Sequence, residues 1–149
     1  MIDRFESFVT GITICYKYVQ KIKSFEMTEF GLKGTHAMCI VYLHRNPEGL
    51  TAAQLCTFCH EDKAAVSRTL SELEDMGYTE YIDNDSKKKY RSLITLSEKG
   101  EEVAKKVEEL IEQWVDLGGQ GLSDDEREAF YYALGVISEN LRAKTKEKN

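Results

Sequence analysis

The sequence predicts a mostly α-helical fold with one small β-hairpin. Three observations predict it. Apolar residues recur at three- and four-residue spacing over most of the chain. Proline occurs once, as Pro47, and glutamate and lysine are abundant, as helices prefer. Two strand-like runs, 78–83 and 90–96, flank the polar tip Asn84-Asp85-Ser86-Lys87-Lys88-Lys89.

The stretch 50–100 organises the rest. Thr51 is placed to cap a short helix over 52–59. A tight turn at His60-Glu61 follows. A second helix is expected over 62–76, and Gly77 stands where a left-handed C-cap belongs. The hairpin comes next. Helix, turn, helix, hairpin is the order of a winged helix-turn-helix, a DNA-reading module.

The physical case rests on the second helix. Val66, Leu70, Leu73 and Met76 make one apolar face. Lys63, Ala64, Ser67, Arg68 and Ser71 fall on the opposite face, which carries no acid until Glu72, Glu74 and Asp75. Small residues let a helix backbone approach base edges, and arginine can pair with guanine through two hydrogen bonds. The free N–H groups of a helix N-terminus also favour phosphate. An ordinary amphipathic helix with a solvated face would show much of the same pattern. The basic tip that follows, Lys87 to Lys89 with Arg91, tips the reading towards DNA.

The stretch resembles the multiple-antibiotic-resistance regulator (MarR) family of bacterial transcription factors. The matching pieces are Leu50-Thr51, Asp62-Lys63, Val66-Ser67-Arg68, Leu73-Glu74, Gly77 and Leu96-Ser97-Glu98-Lys99-Gly100. Outside them the likeness is architectural. One departure is visible. The family's wing Asp-x-Arg falls on Lys88-Lys89-Tyr90, so the usual wing-tip arginine is displaced, leaving Lys89 or Arg91 to take its place. The resemblance implies a repressor that forms a homodimer through interlocked terminal helices. It also implies a pocket for a small aromatic or otherwise amphipathic inducer, between those helices and the reading domain. Tyr16, His36, Met38 and Tyr42 are the pocket candidates.

The flanks fit that plan. Phe5, Phe8, Ile12, Cys15, Val19 and Ile22 form a heptad seam in a helix over 3–23. A mixed connection, 24–34, leads to a helix over 35–45. Asn46-Pro47-Glu48-Gly49 suits a type I turn. Ser97 can cap a long helix over 98–117, with Val103, Val107, Leu110, Trp114 and Leu117 at heptad spacing. Ser123-Asp124-Asp125-Glu126 is a capping box, and the last helix carries Phe130, Leu134, Ile137 and Leu141 on one stripe. The expected organisation is one domain, 1–149, with dimerisation helices at 1–23 and 98–145 around a winged helix-turn-helix at 32–97.

At 149 residues and 42% hydrophobic, the chain can bury a real core. No apolar run is long enough to span a bilayer, and MIDRFESF lacks the pattern of a signal peptide, so a cytoplasmic protein with no membrane partner is expected. The net charge of −6 argues mildly against nucleic acid, but its distribution matters more than its sum. Cys15, Cys39, Cys56 and Cys59 are expected to stay reduced. Cys56-Thr57-Phe58-Cys59-His60 matches the c-type haem attachment pattern, which needs export. Without that, and with no second ligand pair for zinc, Cys56 and Cys59 are expected as buried packing residues.

No catalytic constellation, phosphate loop or dinucleotide fingerprint is present, so neither an enzyme nor a cofactor is expected. His36, His44 and His60 lack metal-ligand spacing. The reading is therefore a dimer holding a palindromic double-stranded operator. Lys63, Ala64, Ser67, Arg68 and Ser71 would enter the major groove. Thr51 and Ala52 would face a phosphate, and Lys87, Lys88, Lys89 and Arg91 would grip the flanking backbone and minor groove. Two alternatives remain. One is a thiol or hydroperoxide sensor acting through Cys15, which stands where the family's peroxide sensors carry a first-helix cysteine, although the apolar seam predicts a buried, inert thiol there. The other is a winged-helix module that binds a protein partner and never reads DNA.

Overall fold

The structure is a computed structural model, and it describes residues 3–82 and 92–146. The chain divides into two compact units, 1–109 and 110–149. Among the described residues no helix is long and apolar enough to cross a membrane.

The first unit begins with α1, Arg4–Met27, capped by the Asp3 carboxylate, which accepts the Phe5 N–H at 3.0 Å. This helix runs four residues beyond its expected end, into the connection. A 3-10 turn, Thr28–Phe30, and Gly31 in the left-handed region then reverse the chain. That turn buries Met27 and Leu32 and aims α2, Gly34–Arg45, back along α1. Gly34 is part of this packing, since a Cβ there would lie 3.2 Å from the Ser24 nitrogen.

The core of the unit is built on α2. Ala37, Ile40, Val41 and Leu43 are buried against Leu55 of α3, Ala52–Cys59, and against Val66, Leu70 and Leu73 of α4, Lys63–Asp75. Two strands follow, β1 at Thr79–Ile82 and β2 at Leu93–Leu96, antiparallel with Thr79 opposite Leu96. Leu50 adds a bridge to Ile94, exchanging backbone hydrogen bonds of 3.0 and 2.8 Å. The Asn46–Gly49 turn that places Leu50 closes with a 2.9 Å bond from the Gly49 N–H to the Asn46 carbonyl.

The junction between α4 and β1 is a Schellman motif. Gly77 has φ +73°, the Gly77 N–H donates to Glu74 O, and the Tyr78 N–H donates to Leu73 O, both at 2.9 Å. A residue with a Cβ would be strained there. From β2 the chain enters α5, Glu98–Gly118, whose first turns bury Gly100, Ala104 and Val107. On the facing helix, His44 and Arg45 meet α5 through Glu101 and Glu108, each pairing at 2.6 Å.

The second unit contains the end of α5 and all of α6, Asp124–Lys146. The expected capping box is present: the Glu126 carboxylate accepts the Ser123 N–H at 2.8 Å, and Ser123 Oγ accepts the Glu126 N–H at 3.3 Å. None of the side chains of α6 is buried in the single chain, and α1 buries only Met27.

Candidate nucleic-acid interface

The site is built from the start of α4 outwards. Asp62 is extended, and its carboxylate accepts the Ala65 N–H at 2.8 Å, which fixes where the helix starts. From there the helical period turns Val66, Thr69, Leu70 and Leu73 into the core. The same period leaves Lys63, Ala64, Ser67, Arg68 and Ser71 exposed together on the outer face. No hydrogen bond or ion pair holds Arg68 among the described residues, so its five N–H donors are uncommitted.

α3 lies in front of α4. The Thr51 N–H donates to the Gln54 side chain at 2.9 Å, and the Thr51 hydroxyl accepts the Gln54 N–H at 3.2 Å. Thr51 therefore spends both groups on its own helix. The open donors at this end are first-turn backbone N–H groups, beginning with that of half-exposed Ala52. His60 ends α3 in the left-handed conformation, φ 54°, and makes the tight turn expected at His60-Glu61. Lys87, Lys88, Lys89 and Arg91 lie outside the described residues.

Glu72, which the sequence shows only as the first acid after the outward residues of the helix, is held at both oxygens from the start of α2. Lys33 Nζ donates to Oε1 and His36 Nε2 to Oε2, each at 2.6 Å. His36 is fully buried, and its Nδ1 accepts the Lys33 N–H at 3.1 Å. An accepting Nδ1 makes Nε2 the donor. The bonds from Lys33 and His36 hold the Glu72 carboxyl below the usual carboxylate range. The visible signal was positional. His36 is the third residue of α2, where a side chain reaches back to the preceding N–H.

Beside this network α2, α3 and α4 border an open cleft of about 250 Å³, lined in part by Cys39, Cys59, Arg68 and Glu72. Burial pushes the Cys39 thiol far up, and burial with Glu61 and Cys56 nearby pushes Cys59 up to about 11. The four residues proposed for a ligand pocket do not line this cleft. Tyr16 is exposed on α1, Met38 is half-buried, and Tyr42 stacks on Phe58 with ring centroids 5.4 Å apart. His36 stands behind it, through Glu72.

The cysteine expectations need correction. Cys15 is exposed in the single chain, along the part of the apolar seam of α1 where Phe5, Phe8, Ile12 and Val19 are exposed as well. Cys56 and Cys59 are half-buried, since Leu55 is the residue α3 drives into the core.

Comparison with known proteins agrees with this geometry. A sequence model of the MarR family matches residues 30–88, the segment holding α2, α3, α4 and β1. Over that segment the chain carries the sequence pattern of the MarR family. The likeness in fold extends over the whole chain. A MarR protein from Peptoclostridium difficile superposes with a TM-score of 0.85 at 17% identity, covering 100% of this chain and 96% of that one. A structure described simply as MarR is 26% identical, with a TM-score of 0.75 and 99% of each chain covered. A putative MarR-family regulator from Listeria monocytogenes, solved in complex with a 26mer DNA, gives 0.82 at 21% identity over 91% of this chain and 89% of that one. No individual curated protein matches. The fold is the one these MarR-family proteins share.

Proposed function

We propose that this chain is a homodimeric, cytoplasmic MarR-family repressor that reads a palindromic DNA operator and is released by a small aromatic or amphipathic ligand. The observation that carries the reading is the outer face of α4. A helix pinned at its start by Asp62 presents Lys63, Ala64, Ser67, Arg68 and Ser71 together, with Arg68 uncommitted. Those are the residue types and the exposure that major-groove reading needs. The basic segment Lys87 to Arg91 would add backbone grip.

Pairing of two copies is supported by what one chain leaves uncovered. Phe5 on α1 is 70% exposed and Tyr132 on α6 is 76% exposed, and both helices carry further apolar residues with them. Faces this apolar mark interaction surfaces. A second copy would also space two α4 helices one DNA turn apart, matching a palindrome. The ligand is the least constrained part, and Tyr16, Met38 and Tyr42 are its proposed contacts.

Selection of duplexes from a random-sequence pool by the purified protein tests the reading. The expected result is enrichment of an inverted repeat, bound by two protein chains. Recovery of no preferred sequence would contradict it.

A further inference from the structure

We infer that Lys33 and His36 set the strength of DNA reading by keeping the Glu72 carboxylate away from Arg68. The inference rests on the role proposed above for Arg68. The two residues are four positions apart on α4, so they are neighbours on the helix surface, and opposite charges at that spacing attract. Both line the same cleft. A guanidinium paired with that carboxylate cannot offer its full fork to a guanine. Nothing on α4 itself prevents the pairing.

What prevents it comes from α2. Each Glu72 oxygen already accepts a hydrogen bond, one from Lys33 and one from His36, while Arg68 has no hydrogen-bond or ion-pair partner among the described residues. The two donors are unequal. The Lys33 side chain is 66% exposed, and an ion pair in water is weak. His36 is buried, with its ring orientation fixed by the Lys33 N–H at Nδ1. His36 is thus the main positioning residue and Lys33 its helper. Without them the carboxylate would turn along its own helix to Arg68.

A mutant cycle tests this, using a duplex selected by the wild-type protein from a random-sequence pool. Lys33→Met with His36→Leu should weaken binding roughly tenfold, the scale of one missing arginine–guanine pair. Adding Glu72→Gln should restore binding to within about twofold, because a neutral amide does not capture Arg68. Binding of a random duplex, which a damaged fold would also lose, should change much less in the double variant. If the His36 variant does not fold, Lys33→Met alone, altering only an exposed side chain, should weaken binding roughly threefold and be rescued the same way. Variants that bind like wild type, or a weakening that Glu72→Gln leaves in place, would overturn the inference. A wild-type protein that selects no duplex would instead overturn the DNA-reading role beneath it.

Discussion

Gly100 lies against the carbonyl of Tyr78, so close that a Cβ on residue 100 would come 2.1 Å from that oxygen. The contact belongs to a junction joining α4, the hairpin and α5. Ser97 Oγ donates to Gly77 O at 2.6 Å and accepts the Gly100 N–H at 3.0 Å. Lys99 Nζ donates to Met76 O at 2.9 Å and stands over the Tyr78 ring at 4.7 Å. The end of the proposed reading helix is therefore tied directly to the start of α5.

Gly100→Ala should force these backbones apart and destabilise the fold by about 1–3 kcal/mol, as overpacking does. Urea unfolding of the two proteins measures it. Equal midpoints would show that the junction gives way at no cost.

A second expectation concerns acid. Glu72 has a lowered folded pKa, so its contribution to stability is present above the ordinary carboxylate value of 4.5 and is lost as pH falls through the folded value. The stability gap between wild type and Glu72→Gln should therefore be widest near neutral pH and shrink as pH falls below the ordinary carboxylate value. Urea midpoints at several pH values would show it. A gap that stays constant would mean the bonds to Lys33 and His36 do not favour the ionised form.

The local elements were legible because each carries its own punctuation. Thr51, Asp62, Gly77 and Ser97 mark helix ends by chemistry that acts within a few residues, and all four act there in the structure. The outward face of α4 followed from its period. Glu72 was not legible as a paired group, since His36 lies 36 residues away and only the α2–α4 packing brings them together. The cysteines failed for a related reason. A heptad seam states that a face is apolar, while Cys15 is covered only if something packs on that face. At α3, one turn of helix separates the buried Leu55 from the half-buried Cys59, a distinction composition does not carry.

The seam gives the test of pairing. Phe5 and Ile12 are exposed in the single chain, at 70% and 43%, and lie on the same stripe of α1. Replacing both with lysine should leave the fold of the first unit intact and turn a dimer into a monomer in sedimentation experiments, because exposed positions cost little to change in a monomer but much in an interface. A double variant that remains a dimer would place the interface elsewhere.

In the proposed complex α4 reads sequence while the basic residues Lys87 to Arg91 grip the backbone. Binding of a selected duplex and of a random duplex, each across a salt series, separates the two roles. Arg68→Ala should cost roughly 1–3 kcal/mol on the selected duplex and much less on random DNA. Replacing one of Lys87, Lys88 or Lys89 with alanine should weaken both duplexes about equally. It should also flatten the salt slope by roughly one unit, because each chain then neutralises one phosphate fewer. Equal weakening of both duplexes by Arg68→Ala, or an unchanged salt slope for the lysine variants, would contradict that division of work.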